Sequence, residues 1–342
     1  MSWHKILVLL GVIAAIHLVV IFGCIGGSGD AVPEDPFAAV RESLFDRLFA
    51  AGNEAGEPED DSKVRPWDYS CTLDLPDALA RRAQRASSVI IVDMTDRRVL
   101  WEKNSRTPVA IASLTKLMTA LLTAERLESD PEFKLDEVLT ISPAAAGVES
   151  HKFSAGTRLT VQDLILAMMI TSSNDAAFQL AERIGGSVPE FVEMMNRRAA
   201  EMGLETVRFN SPNGLPQGRE RENSYASASD VLHLCEAVMR HRVIMDACGE
   251  SYAKLSNGKE IYTTNGLLLY PRPNRPYYSK VPGLIGFKTG FTNAAGCCLA
   301  FGVVRNNRII IGCVTGFPSV AEREPFCKEL IEWAYSTAQV EN

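Results

Sequence analysis

Ile111-Ala112-Ser113-Leu114-Thr115-Lys116-Leu117-Met118-Thr119-Ala120 joins a hydroxyl and an amine to the start of an apolar helix. Ser113 and Lys116 stand three residues apart, so a helical stretch puts both side chains on one face. Leu114, Leu117, Met118, Leu121 and Leu122 follow the i, i+3, i+4, i+7, i+8 spacing of a buried stripe. A hydroxyl in the first turn also lies at the positive end of the helix dipole, which favours negative charge developing on it. A serine with an amine one turn away, on a helix that packs hard, has the makings of an activated nucleophile.

Working outward, Ser87 to Met94 reads as a strand, Thr95-Asp96-Arg97 as a turn and Arg98 to Glu102 as the hairpin partner. The central helix is expected from about Ser113 to Leu127. A helical block follows. Thr160-Val161-Gln162-Asp163 is capping-box-like and opens an apolar run to Ile170. That run breaks at Thr171-Ser172-Ser173-Asn174, and a second helix is expected near Asp175. Ser187-Val188-Pro189-Glu190 and Ser227-Ala228-Ser229-Asp230 open two more. Phe209 to Leu215, between them, is rich in turn residues. The last third turns to β: Gly286 to Phe291, Cys297 to Val304 and Arg308 to Val314, with an Asn306-Asn307 turn. A closing helix is expected from Ala321 to Thr337. Strands at both ends around a helical middle predict an α+β fold, with one antiparallel sheet flanked by helices and an all-helical lobe beside it.

The 342 residues carry 46% hydrophobic and 23% charged side chains, enough for a sizeable core. The net charge of −7 is local: residues 26–78 hold 13 Asp/Glu against 4 Lys/Arg. The remainder is almost neutral, with no basic stripe, so nucleic acid is excluded as a partner. From Ile6 to Ile25 the chain is apolar apart from His17, long enough to cross a bilayer, with Lys5 on its amino side. This predicts export, with residues 1–25 as a membrane anchor or signal segment. Ile21-Phe22-Gly23-Cys24 also resembles a bacterial lipoprotein processing site, so lipidation at Cys24 stands beside retention and cleavage. Residues 26–82, acidic and rich in Gly and Pro, read as a flexible tether, 83–338 as the catalytic domain and 339–342 as a tail. Eight cysteines, none in a C-x-x-C pair, read mainly as buried small hydrophobes. Five histidines lack metal spacing, and no metal or cofactor is expected. Neither a G-x-S-x-G elbow nor a P-loop is present.

A lone S-x-x-K carries little, and beyond the N-terminal segment this chain holds three: Ser113/Lys116, Ser251/Lys254 and Ser256/Lys259. S-x-N occurs twice, at 172–174 and 211–213, and Lys-Thr-Gly once, at 288–290. The weight lies in the ordered set: S-x-x-K opening an apolar helix, S-x-N in a break between helices, K-T-G on a strand. In this set the chain resembles the penicillin-recognising serine enzymes, and among them the D-alanyl-D-alanine carboxypeptidase family, the low-molecular-weight penicillin-binding proteins. Ser173-Asn174-Asp175-Ala176-Ala177, Asn265-Gly266-Leu267-Leu268, Gly286 to Thr292 and Ala295-Gly296 extend the likeness across about 83–338.

The resemblance implies a β-lactamase/transpeptidase-like fold and a D-Ala-D-Ala carboxypeptidase of the bacterial cell envelope. Its substrate would be a peptidoglycan stem peptide, and β-lactams would be covalent inhibitors. Ser113 would be the nucleophile, Lys116 its proton acceptor and Lys288 the second cation that lowers the Lys116 pKa. Ser172 would relay a proton to the leaving amine, and Asn174 would hold Lys116 and the substrate. The N–H groups of Ser113 and Phe291 would form the oxyanion hole. Lys288, Thr289, Gly290 and Arg323 would surround the terminal carboxylate. Three departures stand out. Ser173 occupies the middle of S-x-N, where the family has Gly. The anchor is N-terminal, and no counterpart is expected of the β domain and amphipathic helix that close many relatives. Tyr270 to Pro282, with four prolines, lengthens the loop before Lys-Thr-Gly. A DD-endopeptidase uses the same residues. A serine β-lactamase needs a deacylating Glu whose spacing near Glu205 to Asn210 does not match. A silent peptidoglycan-binding scaffold conflicts with the intact set.

Overall fold

The computed structural model describes residues 64–70, 72–218 and 222–337. In chain order, helix α1 (Asp77–Ala83) precedes the hairpin β1 (Ser88–Asp93) and β2 (Arg98–Lys103). A short β3 (Val109–Ala110) leads into a 3₁₀ turn (Ala112–Thr115) that runs straight into α2 (Lys116–Ser129). The lobe continues with β4 (Val138–Thr140), α3 (Pro143–Ala146), β5 (Arg158–Thr160), α4 (Val161–Ile170), α5 (Asn174–Gly185) and α6 (Val188–Glu201). Then come β6 (Tyr225–Ala226), α7 (Ala228–Val238), α8 (Arg242–Gly249) and the hairpin β7 (Tyr252–Lys254) and β8 (Glu260–Tyr262). Three long strands, β9 (Leu284–Thr292), β10 (Gly296–Arg305) and β11 (Arg308–Phe317), and helix α9 (Val320–Thr337) complete the described chain.

The starts of these helices follow from their caps. The Thr160 hydroxyl accepts from Asp163 N–H while the Asp163 carboxylate accepts from Thr160 N–H, a complete capping box. Ser173, Ser187 and Ser227 each accept an N–H from three residues on. The main sheet runs β2-β1-β11-β10-β9, antiparallel throughout, so the first hairpin and the last three strands are one layer. Both faces are covered. One core lies between the sheet and the helical lobe, centred on α2, α4 and α5. The other lies between the sheet and α1 with α9, where Val89, Leu299, Phe301, Phe326 and Leu330 are fully buried. The expected α+β layout is therefore the observed one.

The expected membrane segment, most of the expected tether and the 339–342 tail lie outside the described residues. The tether assignment fails over its last part. Val64 N–H donates to Met202 O at 3.1 Å, Leu73 N–H to Leu100 O at 2.8 Å, and Asp68 bridges Arg98 on β2. Trp67 is buried between the Arg97 guanidinium, 4.5 Å from its ring, and the His233 ring stacked at 4.5 Å. Leu75 and Leu79 fill the α9-side core. Acidic neighbours dominate the composition of this stretch, but its few apolar residues suffice to bind it to the domain. Cys235, Cys248, Cys297, Cys298, Cys313 and Cys327 are all free and buried, in keeping with their reading as small hydrophobes.

Candidate active site

The nucleophile segment enters from β3. Ala112 takes a left-handed conformation (φ 46°), which turns the chain so that Ser113 stands at the head of the 3₁₀ turn and α2. Helical spacing then delivers Lys116 to Ser113, with Nζ 2.8 Å from Oγ. The same nitrogen donates to Asn174 Oδ1 at 2.8 Å and to the Asn213 carbonyl at 2.6 Å. Lys116 has no exposed surface. Burial holds its pKa well below the ordinary lysine value; the charge of Lys288 pushes the same way and Asp175 pushes back.

The second motif sits where α4 ends. Ser172 occupies the break in a left-handed conformation (φ 60°), half-buried, two residues before Asn174. Besides holding Lys116, Asn174 donates through Nδ2 to Glu149 O at 2.9 Å. Asp175, fully buried, accepts from the N–H groups of Lys152 and Phe153 at 2.7 and 2.6 Å and from the Ser173 hydroxyl. The start of α5 therefore ties the 149–153 loop beside the site. Lys259 holds that loop from the β7–β8 hairpin, bonding Lys152 O and lying over the Phe153 ring.

The third motif lies on β9, the edge strand. Lys288 is buried, its Nζ donating to Thr289 O at 3.0 Å. Burial lowers its pKa to about 7, with Arg323 adding to the shift and Cys248 opposing it. The Thr289 hydroxyl is 2.6 Å from that of Thr264. Gly290 passes so near the nucleophile turn that a Cβ there would stand 3.1 Å from Ile111 O and 3.2 Å from Ser113 N. Phe291 follows, 61% exposed. As an edge, β9 leaves alternate N–H and C=O groups unpaired by strands.

Contacts thus bring Ser113, Lys116 and Asn174 together, with Gly290 of β9 beside the Ser113 N–H; Ser172 lies two residues before Asn174, and Lys288, Thr289 and Phe291 flank Gly290 on β9. Arg323 does not join them. It is 2% exposed, its Nε and Nη2 donate to Glu324 at 3.1 and 2.7 Å, and Nη1 donates to Cys298 O at 2.8 Å. All three guanidinium nitrogens have partners inside the protein, which sets this buried side chain apart from the residues gathered around Ser113. Glu324 in turn accepts from Gly266 N–H at 3.0 Å, tying α9 to the turn just after Thr264.

The sequence reading missed Asn213 and Gly214. Their S-x-N triplet repeats the second motif, yet its role is to back the nucleophile. Thr119 Oγ1 donates to Pro212 O at 2.6 Å, and a Cβ on Gly214 (φ 80°) would stand 2.0 Å from Ala112 O. The available signal was an Asn-Gly dipeptide, which marks a turn without saying what it touches.

The model of the D-alanyl-D-alanine carboxypeptidase family matches residues 76–319. Over 259 residues the chain is 32% identical to the D-alanyl-D-alanine carboxypeptidase DacF of Bacillus subtilis, covering 74% of this chain and 63% of that protein. It is 30% identical to the D-alanyl-D-alanine endopeptidase of Escherichia coli, covering 65% of this chain and 68% of that one. The ampicillin-bound penicillin-binding protein D2 of Listeria monocytogenes superposes with a TM-score of 0.62 at 26% identity, over 72% of this chain and 96% of that one. The chain spans less than two thirds of the length of the curated carboxypeptidases it matches first, 63%, 62% and 65%.

Proposed function

The chain belongs to the D-alanyl-D-alanine carboxypeptidase family, and from that premise we propose that it removes the terminal D-alanine of peptidoglycan stem peptides through an acyl-enzyme on Ser113. The observation that carries this reading is the three-way setting of Lys116. As a neutral amine, Lys116 has two N–H groups and one lone pair. Asn174 Oδ1 and Asn213 O, at 2.8 and 2.6 Å, accept the two N–H groups, and the lone pair is left for the Ser113 hydroxyl at 2.8 Å. Burial and the Lys288 charge favour the neutral form that this arrangement needs.

In the acylation step Ser113 Oγ bonds to the carbonyl carbon between the two D-alanines while its proton passes to Lys116 Nζ. The N–H groups of Ser113 and Phe291 receive the oxyanion. The C–N bond then breaks, and the proton on Lys116 reaches the leaving amine through Ser172. Water then bonds to the ester carbonyl carbon while its proton passes to Lys116 Nζ, and that proton moves on to Ser113 Oγ as the C–O bond breaks, which frees the shortened peptide acid and restores Ser113. The terminal carboxylate is received by Thr289, Thr264 and Lys288. β-Lactams acylate Ser113 by the same first step and are covalent inhibitors. Such a substrate places the enzyme in the bacterial envelope, with residues 1–25 as export signal or anchor; no helix among the described residues is long and apolar enough to cross a membrane.

Mass spectrometry of products from a pentapeptide muropeptide tests the reading. Loss of one alanine is expected, and an unchanged substrate overturns it. The likeness to an endopeptidase keeps a second reading in view, hydrolysis of D-Ala cross-links by the same Ser113. Conversion of a cross-linked dimer to monomers, with the pentapeptide untouched, would favour it. Lys116→Ala is expected to slow penicillin acylation of Ser113 by about 10²–10⁴-fold; fast labelling would remove Lys116 as the base.

A further inference from the structure

The near-neutral balance of the catalytic domain hides a local asymmetry. From Ile261 to Ala321 there is no Asp or Glu, against six Lys or Arg. Lys288 belongs to the site, Arg305 pairs with Glu332, and Arg308 pairs with Asp93 and Asp96. Arg272, Arg275 and Lys280 remain, all exposed on the proline-rich loop 270–282. Among the described residues no carboxylate pairs with them.

The loop holds these cations in place. Pro271, Pro273, Pro276 and Pro282 each fix a backbone angle. Arg272 and Arg275 exchange backbone N–H···O bonds of 3.3 and 2.9 Å around Pro273-Asn274, and Arg275 reaches back to the Tyr278 hydroxyl with one Nη. At the base, Tyr278 is buried against Gly266, and Val281 N–H donates to Leu267 O at 2.9 Å. That base follows Thr264, whose hydroxyl meets Thr289, so the loop stands on the flank of the Lys-Thr-Gly strand. Cations on a stiff turn lose little freedom when they bind.

Rings accompany the charges. Tyr270 is 71% exposed, with Lys280 Nζ 5.4 Å from its centroid, and Tyr262 is 58% exposed beside the Tyr252 ring. Glu260 accepts from the Tyr252 and Tyr262 hydroxyls at 3.1 and 3.0 Å, so this acid is already engaged. Its hydrogen bond raises the Tyr262 pKa and the Arg272 charge opposes that rise, which sets Arg272 near the same ring. The two tyrosines are the exposed large hydrophobic side chains of this patch. It presents no exposed Leu, Phe or Trp of the kind that sinks into a bilayer surface.

We propose that loop 270–282 and Tyr262 form a docking surface for an anionic polysaccharide strand. The guanidinium forks and the lysine ammonium take its carboxylate or phosphate groups, and the tyrosine rings take the C–H faces of its sugars. A strand held there runs beside the cleft and keeps the enzyme on the polymer between turnovers. The proposal rests on the peptidase reading for the envelope setting in which such strands occur.

The test measures binding of the full-length protein to polygalacturonate and to poly-L-glutamate, which carries carboxylates without sugar rings. Wild type is expected to bind polygalacturonate more tightly. The triple variant Arg272→Ser/Arg275→Ser/Lys280→Ser is expected to weaken that binding roughly tenfold, and so is a rise in ionic strength from about 0.1 to 1 M. Tyr262→Ser/Tyr270→Ser is expected to bring polygalacturonate down to the level of poly-L-glutamate. Penicillin acylation of Ser113, unchanged in both variants, reports that each is folded. No binding to polygalacturonate, binding that survives the triple substitution, or equal or tighter binding to poly-L-glutamate overturns the surface. Binding to phosphatidylglycerol vesicles that the triple variant loses, with none to polygalacturonate, would assign the patch to a membrane instead. None of these results touches D-alanine release from a pentapeptide; absence of that release with polygalacturonate bound overturns the peptidase reading and leaves the surface standing.

Discussion

Lys116 and Lys288 are two buried amines within one site, and both have lowered pKa values because burial disfavours their charge. This has a consequence for stability. Between about 7, the folded value of Lys288, and its ordinary 10.5, the unfolded chain holds a proton that the folded chain lacks. Stability therefore rises with pH in this window, by up to about 1.4 kcal/mol per pH unit for one such proton. The urea midpoint is expected to climb from about pH 7 to 7.5, below the ordinary thiol pKa of about 8.5, and to climb less in Lys288→Met. An equal slope in both proteins would refute the assignment. Arg323 behaves differently because its charge is paired. Arg323→Ala leaves Glu324 buried without a cation, so a loss of about 3–5 kcal/mol is expected. Thermal unfolding measures it. A raised KM with an unchanged melting temperature would instead restore a direct contact with substrate.

Among the elements, the nucleophile turn depends on a loop far from it in sequence. Ser211–Leu215 is stitched by its own bonds, with Gly214 N–H donating to Ser211 Oγ and Leu215 N–H to Asn213 Oδ1. Gly214→Ala forces a Cβ against the Ala112 carbonyl at a backbone angle only glycine adopts freely. A shift of about 1 Å at Ser113 is worth on the order of 10²-fold in rate, and stopped-flow acylation by penicillin is expected to slow accordingly. The sequence disclosed the elements whose signals are local. Thr160/Asp163, Ser187 and Ser227 marked helix starts through caps, and alternating or continuous apolar runs marked β1, β10 and β11. The three motifs also disclosed most of the site, since each is short and contiguous. Contacts between distant segments left no such trace. Nothing around Asn213 says that its carbonyl meets Lys116, and nothing beside Arg323 says that Glu324 will consume it. Arg323 looked available because a loose alignment gives position along the chain and not burial.

At the scale of the molecule, the sheet separates two cores and carries the Lys-Thr-Gly motif on one edge, β9, with β2 on the other. The segment ahead of α1 binds to the β2 side, where Val99 N–H donates to Asp68 O at 2.8 Å and Trp67 lies between Arg97 and His233. Composition hid this, since one tryptophan weighs little against a run of acids. Trp67→Ala removes a buried aromatic wedge, and a loss of about 3 kcal/mol is expected, read as a lower melting temperature with penicillin acylation retained. Were the melting temperature unchanged, Trp67 would be an ornament on the surface. Four strand spacings, about 19 Å, separate this attachment from β9. A surface that gripped the protein at this β2 edge would thus meet it on the side away from β9. Substrate too bulky to slip beneath the molecule would still meet an unobstructed cleft.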